Sequence, residues 1–104
     1  MTPHALQDAI GTGTGPVILD VRTREEYAAG HVRGAINIPF NEVGRRAGEL
    51  GAFRDQSLVV YCGHGPRAWI AGVVLKRRRF EHVGFLRGHM AAWRRAGLPE
   101  EAGP

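Results

Sequence analysis

Ser57-Leu58-Val59-Val60-Tyr61-Cys62-Gly63-His64-Gly65-Pro66-Arg67-Ala68 is the stretch that decides the fold. From Ser57 to Tyr61 it is rich in branched and aromatic residues, the pattern of a strand buried on both faces of a parallel sheet. Two glycines and a proline follow, and then an apolar body with a basic end from Ala68 to Arg78, which reads as a helix. A strand that passes through a tight glycine loop straight into a helix is the repeating unit of α/β folds.

The same alternation extends in both directions. Thr2 caps a first helix that has Pro3 in its opening turn and runs to Ile10. Val17-Ile18-Leu19-Asp20-Val21 is a second buried strand, interrupted by one acid near its end. Thr23-Arg24-Glu25-Glu26 matches a capping box, which starts a helix that stops at Gly30. Ala35 to Ile38 is a short strand halted by Pro39, and Asn41 caps a helix through Leu50 that Gly44 and Gly48 weaken. Val83 to Leu86 is the last strand, and Met90 to Ala96 the last helix, closed by Gly97 with Pro99 beyond it. Strands alternating with helices predict one domain with an open, mostly parallel sheet covered on both faces. Residues 100–104 are expected to fray.

Composition narrows the class. The chain has 104 residues and is 43% hydrophobic, enough for one core. It has no apolar run near the roughly 20 residues of a membrane helix. Met1-Thr2-Pro3-His4 lacks the charged-then-apolar order of a signal peptide, so a soluble, cytoplasmic protein without membrane contact is expected. The net charge is +4, from basic residues that are all arginine except Lys76. They cluster only at Lys76-Arg77-Arg78-Arg79, Arg45-Arg46 and Arg94-Arg95, without the stacking aromatics of a nucleic-acid face. Such runs read as solvated helix ends, and the general positive field favours small anions. The single cysteine excludes an internal disulfide and a multi-thiolate zinc site, and His4, His82 and His89 have no metal-ligand spacing. No metal and no cofactor is expected.

That cysteine stands where open α/β sheets bind ligands, just beyond the C-terminal end of a strand. Gly63 and Gly65 let the backbone curl and turn its N–H groups inward, forming an anion-binding nest, and the next helix adds positive potential. A thiol there is expected to react as its thiolate. Pro66 has no N–H, so the available donors are Gly63, His64, Gly65, Arg67 and Ala68. Arg67 adds a planar cationic fork suited to an anionic substrate. A buried core cysteine is the bland alternative, but it has no need of two glycines, a proline and an arginine directly after it. Asp20 ends its strand on the same side of the sheet, placed to bond the backbone of a neighbouring loop. Tyr27 and His31 read as packing residues, and Trp69 and Trp93 as core or groove walls. His64 faces the mouth.

These residues resemble the rhodanese family. Asp20-Val21-Arg22, then Glu26-Tyr27, Gly30-His31 and Gly34-Ala35-Ile36-Asn37-Ile38-Pro39, are similar to its N-terminal signature. Tyr61-Cys62 with Gly65 and Arg67 resembles its active-site loop, and Leu86, Gly88, Trp93, Gly97 and Pro99 resemble its C-terminal pattern. The chain departs from the family at His89, where a second glycine commonly follows Gly88, and at Arg79, where a glycine often precedes the aromatic. The resemblance implies a single rhodanese domain over residues 1–104, a three-layer α/β/α fold with a mostly parallel five-stranded sheet. It further implies a thiosulfate sulfurtransferase in which Cys62 attacks the outer sulfur of an anionic donor and passes it, as a persulfide, to cyanide or another thiophilic acceptor. Cys62 is then the nucleophile. Arg67 and the loop at Gly63, His64, Gly65 and Ala68 hold substrate, Asp20 supports them, and a monomer or weak dimer is expected.

Two rivals use the same residues differently. Cys-loop phosphatases and arsenate reductases need a loop one residue longer than the four residues between Cys62 and Arg67. Non-catalytic rhodanese-like modules that bind partner proteins typically lack the cysteine, which this chain keeps.

Overall fold

Side chains alternate across a strand, and this alternation sorts the core into two layers. Leu19 on the first strand and Val21 just beyond it, with Leu58 and Val60 on the third and Cys62 just beyond it, pack on one face of the sheet with Ala68, Ala71 and Leu75. Ile18, Val59 and Tyr61 pack on the other face with Leu6, Met90 and Trp93. The computed structural model describes residues 1–104 and arranges them as three layers, helices on both faces of one sheet. Its strands are β1 (Val17–Asp20), β2 (Ile36–Asn37), β3 (Ser57–Tyr61) and β4 (His82–Phe85), in the order β2-β1-β3-β4. All three pairings are parallel, with Leu19 opposite Val60 and Asp20 opposite Tyr61.

The helices are α1 (Pro3–Thr12), α2 (Arg24–Ala29), α3 (Val43–Arg46), α4 (Pro66–Arg77) and α5 (His89–Arg95). The expected caps form: Thr2 accepts the Ala5 N–H, and Thr23 with Glu26 closes a reciprocal capping box. Pro66 is the first residue of α4, where its missing N–H costs little. Gly72 sits where α4 crosses β4, and a Cβ there would lie 2.7 Å from Phe85. No helix is long and apolar enough to cross a membrane.

Three expectations are corrected. The sheet has four strands, not five. Met1 alone lies along the outer edge of β4, its N donating to Phe85 O and its O accepting from Arg87 N, before Thr2 turns the chain into α1. One residue is too short to be a strand. The helix expected from Asn41 to Leu50 is a short α3 between 3-10 turns at Phe40–Glu42 and Ala47–Phe53. Gly44, Gly48 and Gly51 weaken an α-helix here. Glu42 makes no cap bond and pairs instead with Arg24, Arg45 and Arg46. Residues 100–104 are held rather than frayed: Glu101 and His31 exchange both backbone hydrogen bonds, and Gly103 N donates to Ala28 O.

Candidate active site

Strand period places Cys62 toward the α4 layer, one residue past the end of β3, and the side chain is fully buried. Its Sγ accepts the Gly65 N–H at 3.0 Å. Gly65 makes this turn with φ 136° and ψ −45°, a conformation that residues with a Cβ rarely adopt. Its carbonyl then accepts from Trp69 N at 3.0 Å and starts α4. Of the donors expected from sequence, Gly65 alone reaches the sulfur. The N–H groups of Gly63, His64, Arg67 and Ala68 donate to no group of the protein. A loop carrying four such donors beside a buried sulfur has the makings of an anion receptor.

The first turn of α5 sets the direction of these donors. Met90 N donates to Cys62 O at 2.9 Å and Ala91 N to Gly63 O at 3.1 Å. The unpaired N–H groups of a helix start are thereby satisfied by the loop. In a planar trans peptide the N–H points opposite its carbonyl, so the Gly63 and His64 N–H groups turn away from α5. Cys62 N itself donates to Nδ1 of His89 at 3.2 Å.

Arg67 is engaged from across the sheet. Its guanidinium donates to both carboxylate oxygens of Glu26 on α2, at 2.6 and 3.1 Å. Nη2 also lies 3.3 Å from the point a Cβ on Gly63 would occupy, so the cation rests against the loop. Glu26 thus serves both the α2 capping box and the loop arginine. The Arg67 hydrogen bond is the largest influence on the Glu26 carboxyl and holds it at about 2, against an ordinary value of 4.5. The same bond raises Arg67. A carboxylate lowered by folding stabilises the fold above its unfolded value and loses that contribution as the pH falls through the folded one. Glu26→Gln should therefore lower the melting temperature at neutral pH, and the gap to wild type should close between pH 4.5 and about 2. Melting curves across that range check this, and a gap that stays constant would remove the ion pair as its cause.

Asp20 lies at the same end of the sheet but touches Arg22, not the Cys62 loop. Its carboxylate accepts the Arg22 backbone N–H at 2.9 Å and the guanidinium at 2.8 to 3.2 Å, and Arg22 Nη2 continues to Gly30 O at 2.7 Å. Neither side chain is more than 3% exposed. The Arg22 guanidinium sits 5.6 Å over the ring of Tyr61, whose hydroxyl accepts Val32 N at 3.0 Å. Burial, followed by the Asp20 charge, pushes the Tyr61 phenol well above its ordinary range, so it stays neutral. Tyr27 and His31 stack at 3.6 Å, and His31 Nδ1–H donates to Tyr27 O, which makes them packing residues.

His64 is exposed at the mouth of the loop. Trp69, 65% exposed, tilts against Phe85 at 6.5 Å and with Gly65, Arg87 and His89 lines a groove of about 200 Å³. Three residues of this neighbourhood are absent from the sequence-derived site. Glu26 and Arg22 sit inside the first signature block, where a capping box and a strand end already explained them. His89 was visible only as a departure from glycine.

The family of the rhodanese-like domain matches residues 2–96. The chain is 43% identical over 88 residues to an HTH-type transcriptional regulator of Mycobacterium tuberculosis, which covers 83% of this chain and 38% of that protein. It is 34% identical over 83 residues to a sulfurtransferase of Allochromatium vinosum, covering 80% and 76% of the two chains. A crystal structure of an Anabaena protein superposes with a TM-score of 0.88 at 32% identity, covering 99% of this chain and 92% of that one.

Proposed function

The chain belongs to the rhodanese-like domain family, and on that footing we propose that it is a sulfurtransferase that carries sulfane sulfur as a persulfide on Cys62. The observation that carries this reading is the buried Sγ under the Gly65 N–H, in a loop whose other four N–H groups have no acceptor in the protein. A relative that shares 76% of its length with this chain is a sulfurtransferase. Thiosulfate is the proposed donor, because a small dianion suits a short N–H nest beside an arginine.

The steps balance without a cofactor. The Cys62 thiolate attacks the outer sulfur of thiosulfate, a new S–S bond forms, and the old one breaks. Sulfite leaves with that bond's electron pair, and Cys62 holds a persulfide anion. The loop N–H groups stabilise this added charge as an oxyanion hole stabilises oxygen. Cyanide carbon then attacks the terminal sulfur, thiocyanate leaves, and the thiolate is restored. Because Cys62 is fully buried, the donor reaches the sulfur only as the surrounding loop opens. Thiosulfate treatment followed by intact mass measurement should show one added sulfur that cyanide removes, and an unchanged mass overturns the reading.

Arg67 is proposed to meet the donor's charge while Glu26 braces it. Its side chain is 30% exposed, so the guanidinium keeps an open side. Arg67→Ala should raise KM for thiosulfate about tenfold and change kcat by less than about threefold. The exposed ion pair contributes at most about 1 kcal/mol to the fold. A variant that melts early with unchanged KM would make Arg67 a brace only.

A further inference from the structure

Arg79 and His89 are the two non-glycine residues of the chain with positive φ, at 71° and 57°. The backbone keeps the left-handed conformation although each residue carries a Cβ that disfavours it. At Arg79 the side chain forms no hydrogen bond or ion pair in return, while at His89 it does.

Nδ1 of His89 accepts the Cys62 N–H at 3.2 Å, so the ring proton sits on Nε2. Nε2 in turn lies 3.4 Å from the point a Cβ on Gly65 would occupy, and the ring tilts against Phe85 at 6.4 Å. One imidazole therefore reaches from the backbone of the cysteine to Gly65, whose own N–H holds the sulfur at 3.0 Å. Met90 and Ala91, the next two residues, bind the carbonyls of Cys62 and Gly63. Burial, and then the nearness of His64, lowers His89 from its ordinary value and favours the neutral ring that this acceptor role requires.

We propose that His89 is a positioning residue that clasps the loop between Cys62 and Gly65, keeping the thiol covered and the Gly65 N–H aligned on the sulfur. The inference rests on Cys62 being the nucleophile. A clasp of this kind makes two opposite predictions. Without it, the covered thiol opens to an indiscriminate reagent, while a donor that needs an aligned loop reacts more slowly.

The test compares wild type with His89→Gly, His89→Asn and Arg79→Gly, by iodoacetamide alkylation of Cys62 and by thiosulfate-to-cyanide transfer. His89→Gly should alkylate about tenfold faster and transfer sulfur about tenfold more slowly, the size of one lost hydrogen bond. Asparagine tolerates a left-handed backbone and carries an acceptor oxygen near the Nδ1 position, so His89→Asn should return both rates to within about threefold of wild type. Arg79→Gly relieves the same backbone conformation away from the loop and should change neither rate. Arg79→Gly should leave the melting temperature equal or higher. In His89→Gly the relief of positive φ offsets the lost hydrogen bond, so its melting temperature should stay within a few degrees of wild type, which separates a slower enzyme from a partly unfolded one. Wild-type alkylation and transfer rates in His89→Gly overturn the proposal, as does His89→Asn behaving like His89→Gly. Alkylation needs no sulfur donor. A wild type inert toward thiosulfate therefore counts against the sulfurtransferase reading alone, and the alkylation rates still decide the role of His89.

Discussion

Cys62→Ser should abolish the thiosulfate-derived sulfur adduct and reduce turnover by more than about a thousandfold, with the fold intact. Cys62 is the only thiol in the chain, so no second sulfur can take its place. Serine is close to cysteine in shape, and its Oγ can still accept the Gly65 N–H that Sγ accepts at 3.0 Å. The loop carbonyls stay bound to Met90 and Ala91. What changes is the chemistry. A hydroxyl stays protonated where a thiol ionises, and an oxygen–sulfur bond does not carry sulfur onward as a persulfide does. Intact mass before and after cyanide, measured beside a melting curve, separates the cases. An equal adduct on Cys62→Ser would move the sulfur elsewhere and end the persulfide reading.

Asp20→Asn should cost about 3–5 kcal/mol of stability, the largest effect expected from a residue outside the loop. Asparagine keeps the shape but leaves the Arg22 guanidinium, 3% exposed, without its counter-charge. Such a loss is a large share of the roughly 5–15 kcal/mol that holds a domain of this size together. It would spread outward, since Arg22 also holds Gly30 O and covers Tyr61. Replacing both partners, as Asp20→Leu with Arg22→Met, should recover most of the loss, because no buried charge is then left unpaired. Urea unfolding of the single and double variants measures this. A loss below about 1 kcal/mol in Asp20→Asn would show that the pair is not a buried, unscreened one. Since the Asp20 carboxylate bonds to Arg22 and makes no hydrogen bond to the Cys62 loop, folded Asp20→Asn should alkylate within about threefold of the wild-type rate.

Much of this molecule was legible in local chemistry. Thr23 and Glu26 announce a helix start, and they form it. Val17 to Val21 and Ser57 to Tyr61 read as buried strands, and β1, which ends at Asp20, lies beside β3 in the centre of the sheet. The fifth strand failed because it was carried over from the resemblance, while the residues themselves showed only four. The α3 region failed because the expected Asn41 cap does not form there and Gly44, Gly48 and Gly51 favour 3-10 turns over a continuous α-helix. The tail failed because its partners, Ala28 and His31, are remote in sequence.

Cys62 marks the boundary between the two kinds of knowledge. Its place after a strand, before two glycines and a helix, followed from side-chain period and turn chemistry, which act over a few residues and are written in order along the chain. Its surroundings did not follow. Arg67 meets Glu26 across 41 positions, and Cys62 meets His89 across 27. Those contacts exist because α2 and α5 pack at the same end of one parallel sheet, and no local rule states which side chains such packing brings together. The sequence by itself determined the strand, the glycine loop and the helix that frame the proposed nucleophile. The tertiary structure decided that the thiol is covered, that Arg67 pairs with Glu26, and that His89 accepts the Cys62 N–H.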